Sequence, residues 1–237
     1  MAHAAAGLIR PLIVWLSGNS GAGKTFTGDA LARMAGFAHI DGDDLYWSTD
    51  PAEKALFGGL VKAFDFWFEG EPAPPELWHP YYARQCSRVN AAVAAGHMRV
   101  VISLTVYHRE TRDYIRALLP EHVFVLLRCS RDELVRRARV RFAAYAASRG
   151  QDVPTAFAEA HKTAYTDATF VEKTVAIMRG LQPLAPDEVQ CVEVDVTDGA
   201  PWTALWAMLG LGEPPSAVPA DEIAEVNYQR FRDNAGK

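Results

Sequence analysis

The eight residues Gly18-Asn19-Ser20-Gly21-Ala22-Gly23-Lys24-Thr25 match G-x-x-x-x-G-K-[ST] at every fixed position. An apolar run, Leu12-Ile13-Val14-Trp15-Leu16, precedes them and reads as a buried strand, and a helix-compatible stretch, Thr25 to Ala35, follows. A strand, a glycine-rich turn and a helix in that order constrain the fold tightly. The glycines let backbone N–H groups converge on a phosphate, and the helix N-terminus adds partial positive charge. Lys24 is expected to reach the β/γ-phosphates of a nucleoside triphosphate, with the Thr25 hydroxyl on Mg²⁺.

Further apolar runs recur with helical segments between them: Phe37–Asp41, Arg99–Leu104, Val123–Arg128 and Val189–Val196. Most are continuous rather than alternating, as in parallel strands covered on both faces. The last alternates and is expected at a half-exposed edge. The chain therefore reads as α/β, with a doubly wound parallel sheet. Gly96 and Pro120 are read as helix stops, and Ser130-Arg131-Asp132-Glu133 as a capping box opening a helix to about Ala147. Two long excursions, about 47–80 and about 142–184, read as a substrate-covering insertion and a lid. A core domain over 1–212 is followed by a linker and C-terminal helix over 213–237.

At 49% hydrophobic residues the 237-residue chain has ample material for a core. A net charge of −5 argues against bulk nucleic-acid binding. Cys86, Cys129 and Cys191 are odd in number and lack metal spacing, so they read as reduced thiols of a cytoplasmic protein. No apolar run approaches a membrane span. The apolar end of the first sixteen residues leads straight into the phosphate loop, which argues against a cleaved signal. The histidines have no metal-ligand spacing and are expected to be locally satisfied.

Ligands of open parallel sheets bind beyond the carboxyl ends of the strands. Asp41-Gly42-Asp43-Asp44 lies there, so Asp41 and Asp43 are expected to share metal binding and proton acceptance. Ser103 ends the third run at the same edge and is a candidate contact for the phosphoryl acceptor. Arg137 and Arg141 are four residues apart on one helix face and are candidates to stabilise transferring phosphate.

The order of these landmarks resembles the gluconate kinases and, more distantly, the shikimate and adenylylsulfate kinases. The likeness rests on the phosphate loop followed by Ile40-Asp41-Gly42-Asp43, then Gly70-Glu71-Pro72 and Pro80-Tyr81. It continues through Val101-Ile102-Ser103, Arg112-Asp113, Arg137-Ala138-Arg139-Val140-Arg141 and Val192-Glu193-Val194-Asp195. The resemblance implies a P-loop NTPase fold with five parallel strands in order 2-3-1-4-5 and a mobile lid. It also implies transfer of the γ-phosphate of ATP to a small hydroxyl-bearing acceptor, gluconate being the first expectation. Asp43 would then orient or deprotonate the acceptor, and Asp41 would hold Mg²⁺ through water. Arg137 would lie by adenine or phosphate, and Arg141 would meet phosphate in a closed lid. The chain departs from the family pattern at Trp78-His79, where an arginine is expected, and after Ser103, where a basic residue is missing. Trp78 and His79 are therefore expected in a more aromatic acceptor pocket. A nucleoside or nucleotide acceptor and a non-catalytic nucleotide-binding regulator are the competing readings. A homodimer is compatible with all of them.

Overall fold

The computed structural model describes residues 10–199, 202–214 and Ile223. The expected C-terminal helix, Asp221 to Asp233, lies outside the described residues apart from Ile223, which is buried.

Five parallel strands form one sheet: β1 (Leu12–Gly18), β2 (Ala38–Asp41), β3 (Arg99–Ser103), β4 (Val123–Arg128) and β5 (Cys191–Asp195). Their order is β2-β3-β1-β4-β5, as the resemblance implies. β1 lies centrally, with Leu16 paired to Ser103 of β3 and Gly18 to Leu127 of β4. The phosphate loop therefore leaves the sheet from its middle. Asp41 is the register partner of Ser103, so the acid turn starts beside it.

Strand side chains alternate between two buried clusters, as a two-residue period dictates. Ile13, Trp15, Val100, Ile102, Phe124 and Leu126 enter one. Val14, Leu16, Val101, Val125 and Leu127 enter the other, with Leu31 and Trp206. This explains the unbroken apolar runs: each residue of a doubly covered strand has a core to enter. β5 alternates instead, with Val194 buried and Glu193 and Asp195 exposed at the sheet edge.

The helices are α1 (Lys24–Ala35), α2 (Asp44–Trp47), α3 (Pro51–Phe68), α4 (Pro75–Ala94), α5 (Arg109–Leu118), α6 (Arg131–Ser148), α7 (Val153–His161), α8 (Asp167–Met178) and α9 (Trp202–Met208). The excursion over 47–80 is mostly a helical hairpin of α3 and α4. α4 begins at Pro75, inside the stretch read as an insertion, and it runs through Pro80. Burial of Trp78, Tyr81 and Tyr82 around that proline holds the turn that its missing N–H weakens. Gly96 follows α4 with φ 95°, the left-handed stop that a C′ glycine provides. The second excursion is the end of α6 with α7 and α8, packed through Phe142, Phe157 and Phe170.

Ser130 caps α6 by accepting from the Glu133 N–H, yet the expected reciprocal box does not close. The Ser130 N–H goes to Thr197 Oγ1, and the Glu133 carboxylate goes to Arg136 and Arg137. Two guanidiniums outcompete one amide for the carboxylate because charge-assisted bonds are the stronger.

Candidate active site

Gly18 has φ +144°, and a Cβ there would stand 2.5 Å from the Leu127 carbonyl oxygen, so the loop can leave β1 only through glycine. The turn closes through Ala22 N–H to the Asn19 carbonyl, and α1 starts at Lys24 after Gly23. Lys24 curls over the loop and donates to the Gly18 and Asn19 carbonyls at 3.0 and 3.2 Å. Thr105 Oγ1 also donates to the Gly18 carbonyl, and Ser17 Oγ accepts the Val106 N–H. The segment after β3 is thus stitched to the base of the loop.

Burial pushes the Lys24 ammonium down to about 8, against the pull of the Asp43 carboxylate, with Arg141 lowering it further and Asp41 raising it. Asp43 keeps one face open to water, while the protein crowded behind it raises its pKa and Asp41 adds repulsion. Lys24 and Arg141 act in the opposite sense. Asp41, Asp43, Lys24 and Arg141 therefore lie within electrostatic reach of one another. Arg141 reaches the loop itself, donating to Ser20 Oγ at 2.9 Å. Arg137 donates to the Gly21 carbonyl at 3.3 Å and to the Val196 carbonyl at 2.8 Å. It ties the phosphate loop to the end of β5, so its first task here is structural.

The acid turn is held from α4, a feature that sequence reasoning missed. Tyr81 Oη and Gln85 Nε2 both donate to the Gly42 carbonyl at 2.8 Å. Arg88 donates to the Asp41 carbonyl, Gln85 Oε1 and Asp44 Oδ2. The spacing i, i+4, i+7 puts these three on one helix face. That periodicity was visible in the sequence, but nothing local says which loop the face meets. Within the turn, the Asp43 N–H donates to Asp41 Oδ1 at 3.1 Å.

Three expectations need correction. Trp78 is 1% exposed and donates to the Ala73 carbonyl, packed against Trp67, Tyr82 and Tyr114. It is a core residue, its indole enclosed by those rings. His79 stacks on Tyr114 at 3.9 Å between ring centroids and stays with that group. Ser103 is 2% exposed and its hydroxyl is bonded to His39, so it presents no open face to an acceptor.

The donor set suits Mg²⁺ held jointly with phosphates: a threonine hydroxyl and two carboxylates, all oxygen. Among the described residues no group of three or more His, Cys, Asp or Glu side chains could hold a metal alone. A nucleotide-borne ion fits better than a resident one. Among the described residues no helix is long and apolar enough to cross a membrane.

No family model matches the sequence, and no curated protein matches it. Among solved structures, the chain is similar to a gluconokinase from Sinorhizobium meliloti 1021 at 20% identity, covering 95% of each chain with a TM-score of 0.45. It is also similar to a sugar kinase from Janibacter sp. HTCC2649 at 19% identity, covering 78% of this chain and 85% of that one with a TM-score of 0.43. At such identities the chemistry of this chain rests on its own residues.

Proposed function

We propose that the protein transfers the γ-phosphoryl group of ATP to a hydroxyl of a small metabolite. One observation carries the reading: Asp43, just past the carboxyl end of β2, lies within electrostatic reach of both Lys24 and Arg141. A phosphate-binding loop alone needs no carboxylate opposite its lysine. A kinase does, because the attacking hydroxyl must lose a proton as its oxygen bonds phosphorus.

In the proposed reaction the acceptor hydroxyl donates a hydrogen bond to Asp43. Its oxygen attacks the γ-phosphorus, the bond from that phosphorus to the bridging oxygen of ADP breaks, and Asp43 takes the proton. The upward shift of Asp43 brings it nearer the operating pH, which suits a base. Lys24 and Arg141 balance the charge spread over the transferring group. Mg²⁺, when bound through Thr25 and Asp41, would neutralise the phosphate oxygens. The α4 clamp on Gly42 keeps the acid turn in place during the transfer.

A sugar acid such as gluconate is the first acceptor to test. Arg88, the cation nearest the acid turn, is already committed to Asp44. That favours polyols and sugars with fewer charges alongside it. Trp78, being buried, has no ring face open to stack a nucleobase. Incubation with labelled ATP and a panel of sugar acids, sugars, polyols and nucleosides tests the reading. A phosphorylated product that vanishes in Asp43→Asn is expected, and no product with any acceptor class would leave the regulator reading in its place.

A further inference from the structure

A buried polar chain crosses from α1 to the sheet beside this site. Asp29 Oδ1 lies 2.7 Å from His39 Nδ1, and His39 Nε2 lies 2.9 Å from Ser103 Oγ. The Asp29 and His39 side chains are 13% and 5% exposed, and Ser103 is 2% exposed. The ring is seated at a cost. A Cβ on Gly28 would stand 2.3 Å from His39 Nε2, so a glycine occupies the interior of α1, where it costs about 0.5–1 kcal/mol relative to alanine. An apolar side chain in place of His39 would need none of these partners.

The hydrogen-bond directions follow from the donor inventory. An ionised carboxylate only accepts, so a neutral ring between Asp29 and Ser103 would carry its proton on Nδ1 and offer Nε2 as an acceptor. The Ser103 hydroxyl must then donate to His39, which leaves its oxygen with lone pairs only. An Asp–His–Ser sequence of this kind also occurs around nucleophilic serines. Here Ser103 is sealed between the sheet and α1, with no room for a substrate carbonyl.

The three residues sit next to the proposed metal-side groups on three different elements. Asp29 lies four residues after Thr25 and so one turn along the same face of α1. His39 lies two residues before Asp41 on the same face of β2, and Ser103 is the register partner of Asp41 on β3. We propose that Asp29, His39 and Ser103 form a positioning relay for the Mg²⁺–phosphate half of the site. It sets the placement of Thr25 relative to Asp41 and keeps Ser103 Oγ as an acceptor-only oxygen beside Asp41. The proposal rests on the phosphoryl-transfer reading for its functional consequence, but the relay itself can be tested without turnover.

Two measurements test it. In the free protein, ¹⁵N resonances of the imidazole should report the Nδ1–H tautomer, and Asp29→Asn should change that pattern. In Asp29→Asn and Ser103→Ala, the Mg²⁺ concentration giving half-maximal ATP binding and turnover should rise about tenfold, as for lost outer-shell partners of metal ligands. The acceptor KM should stay the same. His39→Gln, which can still accept from Ser103, should recover part of the loss that His39→Leu suffers. An Nε2–H tautomer, or unchanged Mg²⁺ dependence in folded Ser103→Ala and Asp29→Asn, would overturn the relay. A wild type that binds no MgATP would instead sink the phosphoryl-transfer reading and the metal half of this proposal, while the tautomer still decides whether the relay exists.

Discussion

Lys24 titrates where experiments can reach it. Its free-state value of about 8 means that above pH 8 the ligand-free protein increasingly holds a neutral amine. Phosphate prefers the ammonium, so ATP affinity should be flat below pH 8 and fall as pH rises beyond it. Calorimetry in buffers of different ionisation enthalpy should find proton uptake on ATP binding near pH 8 and none near pH 6. For folding the sign is opposite to that of binding. The unfolded chain binds more protons between about 8 and 10.5, so the contribution of Lys24 to stability rises with pH across that window. Asp43 permits a sharper test. Asp43→Asn should leave ATP affinity intact and lower kcat by about 10²–10⁴-fold, the usual range for a lost general base. An unchanged kcat would remove Asp43 from the chemistry. In the wild type, the acid limb of the rate profile should lie above the ordinary aspartate range, since the cleft raises the Asp43 pKa.

Between elements, one contact holds the acid turn and another fastens the chain's return to the sheet. The first is the α4 clamp. Removing both of its donors in Tyr81→Phe/Gln85→Ala leaves the buried Gly42 carbonyl without them and frees the acid turn. Turnover should fall about tenfold to a hundredfold, the scale of an ångström of misplacement, while ATP affinity is retained. Steady-state kinetics with separate nucleotide titrations distinguishes the two. The second is the ion pair between Arg112 of α5 and Glu188, whose side chains are 1% and 0% exposed. It is bidentate at 2.7 Å, and the same guanidinium donates to the Gln182 and Pro183 carbonyls. It fastens the return from α8 to β5. Arg112→Met alone strands a buried carboxylate and should cost about 3–5 kcal/mol in urea unfolding. Arg112→Met with Glu188→Leu should recover much of that loss, since well-packed apolar replacements of buried pairs are often close to neutral.

Across the whole molecule, the phosphate loop, the acid turn and α6 meet only because the sheet order places them at one edge. Arg141 spans 121 residues of sequence to reach Ser20. It is exposed as a residue, and its hydrogen bond is to the Ser20 hydroxyl, so Arg141→Ala should leave the unfolding midpoint nearly unchanged. It should reduce kcat by about 10²–10³-fold if the guanidinium meets the transferring phosphoryl group, as for a lost transition-state donor. An equal loss in ATP affinity alone would assign it to ground-state binding.

How much of this was legible in the chain depends on the range of each interaction. The phosphate loop, the strands and the C′ glycine after α4 are read directly because positive φ, helix starts and two-face burial are decided within about ten residues. The place of Asp41 and Asp43 at the carboxyl edge of the sheet follows from the end of the second apolar run. Trp78 could not be placed from the sequence. An aromatic residue near a predicted site looks the same whether its helix face meets ligand or core, and packing against Trp67 and Tyr114 decided for the core. Ser103 belongs with it: its place at the end of the third strand was readable, but its engagement by His39 from 64 residues away was not. The sequence alone determined the glycine-rich loop between β1 and α1, because a short turn between a strand and a helix has few conformations open to it. Only the tertiary structure decided what surrounds the acid turn, because Tyr81, Gln85 and His39 act through side-chain contacts that exist once distant elements have packed.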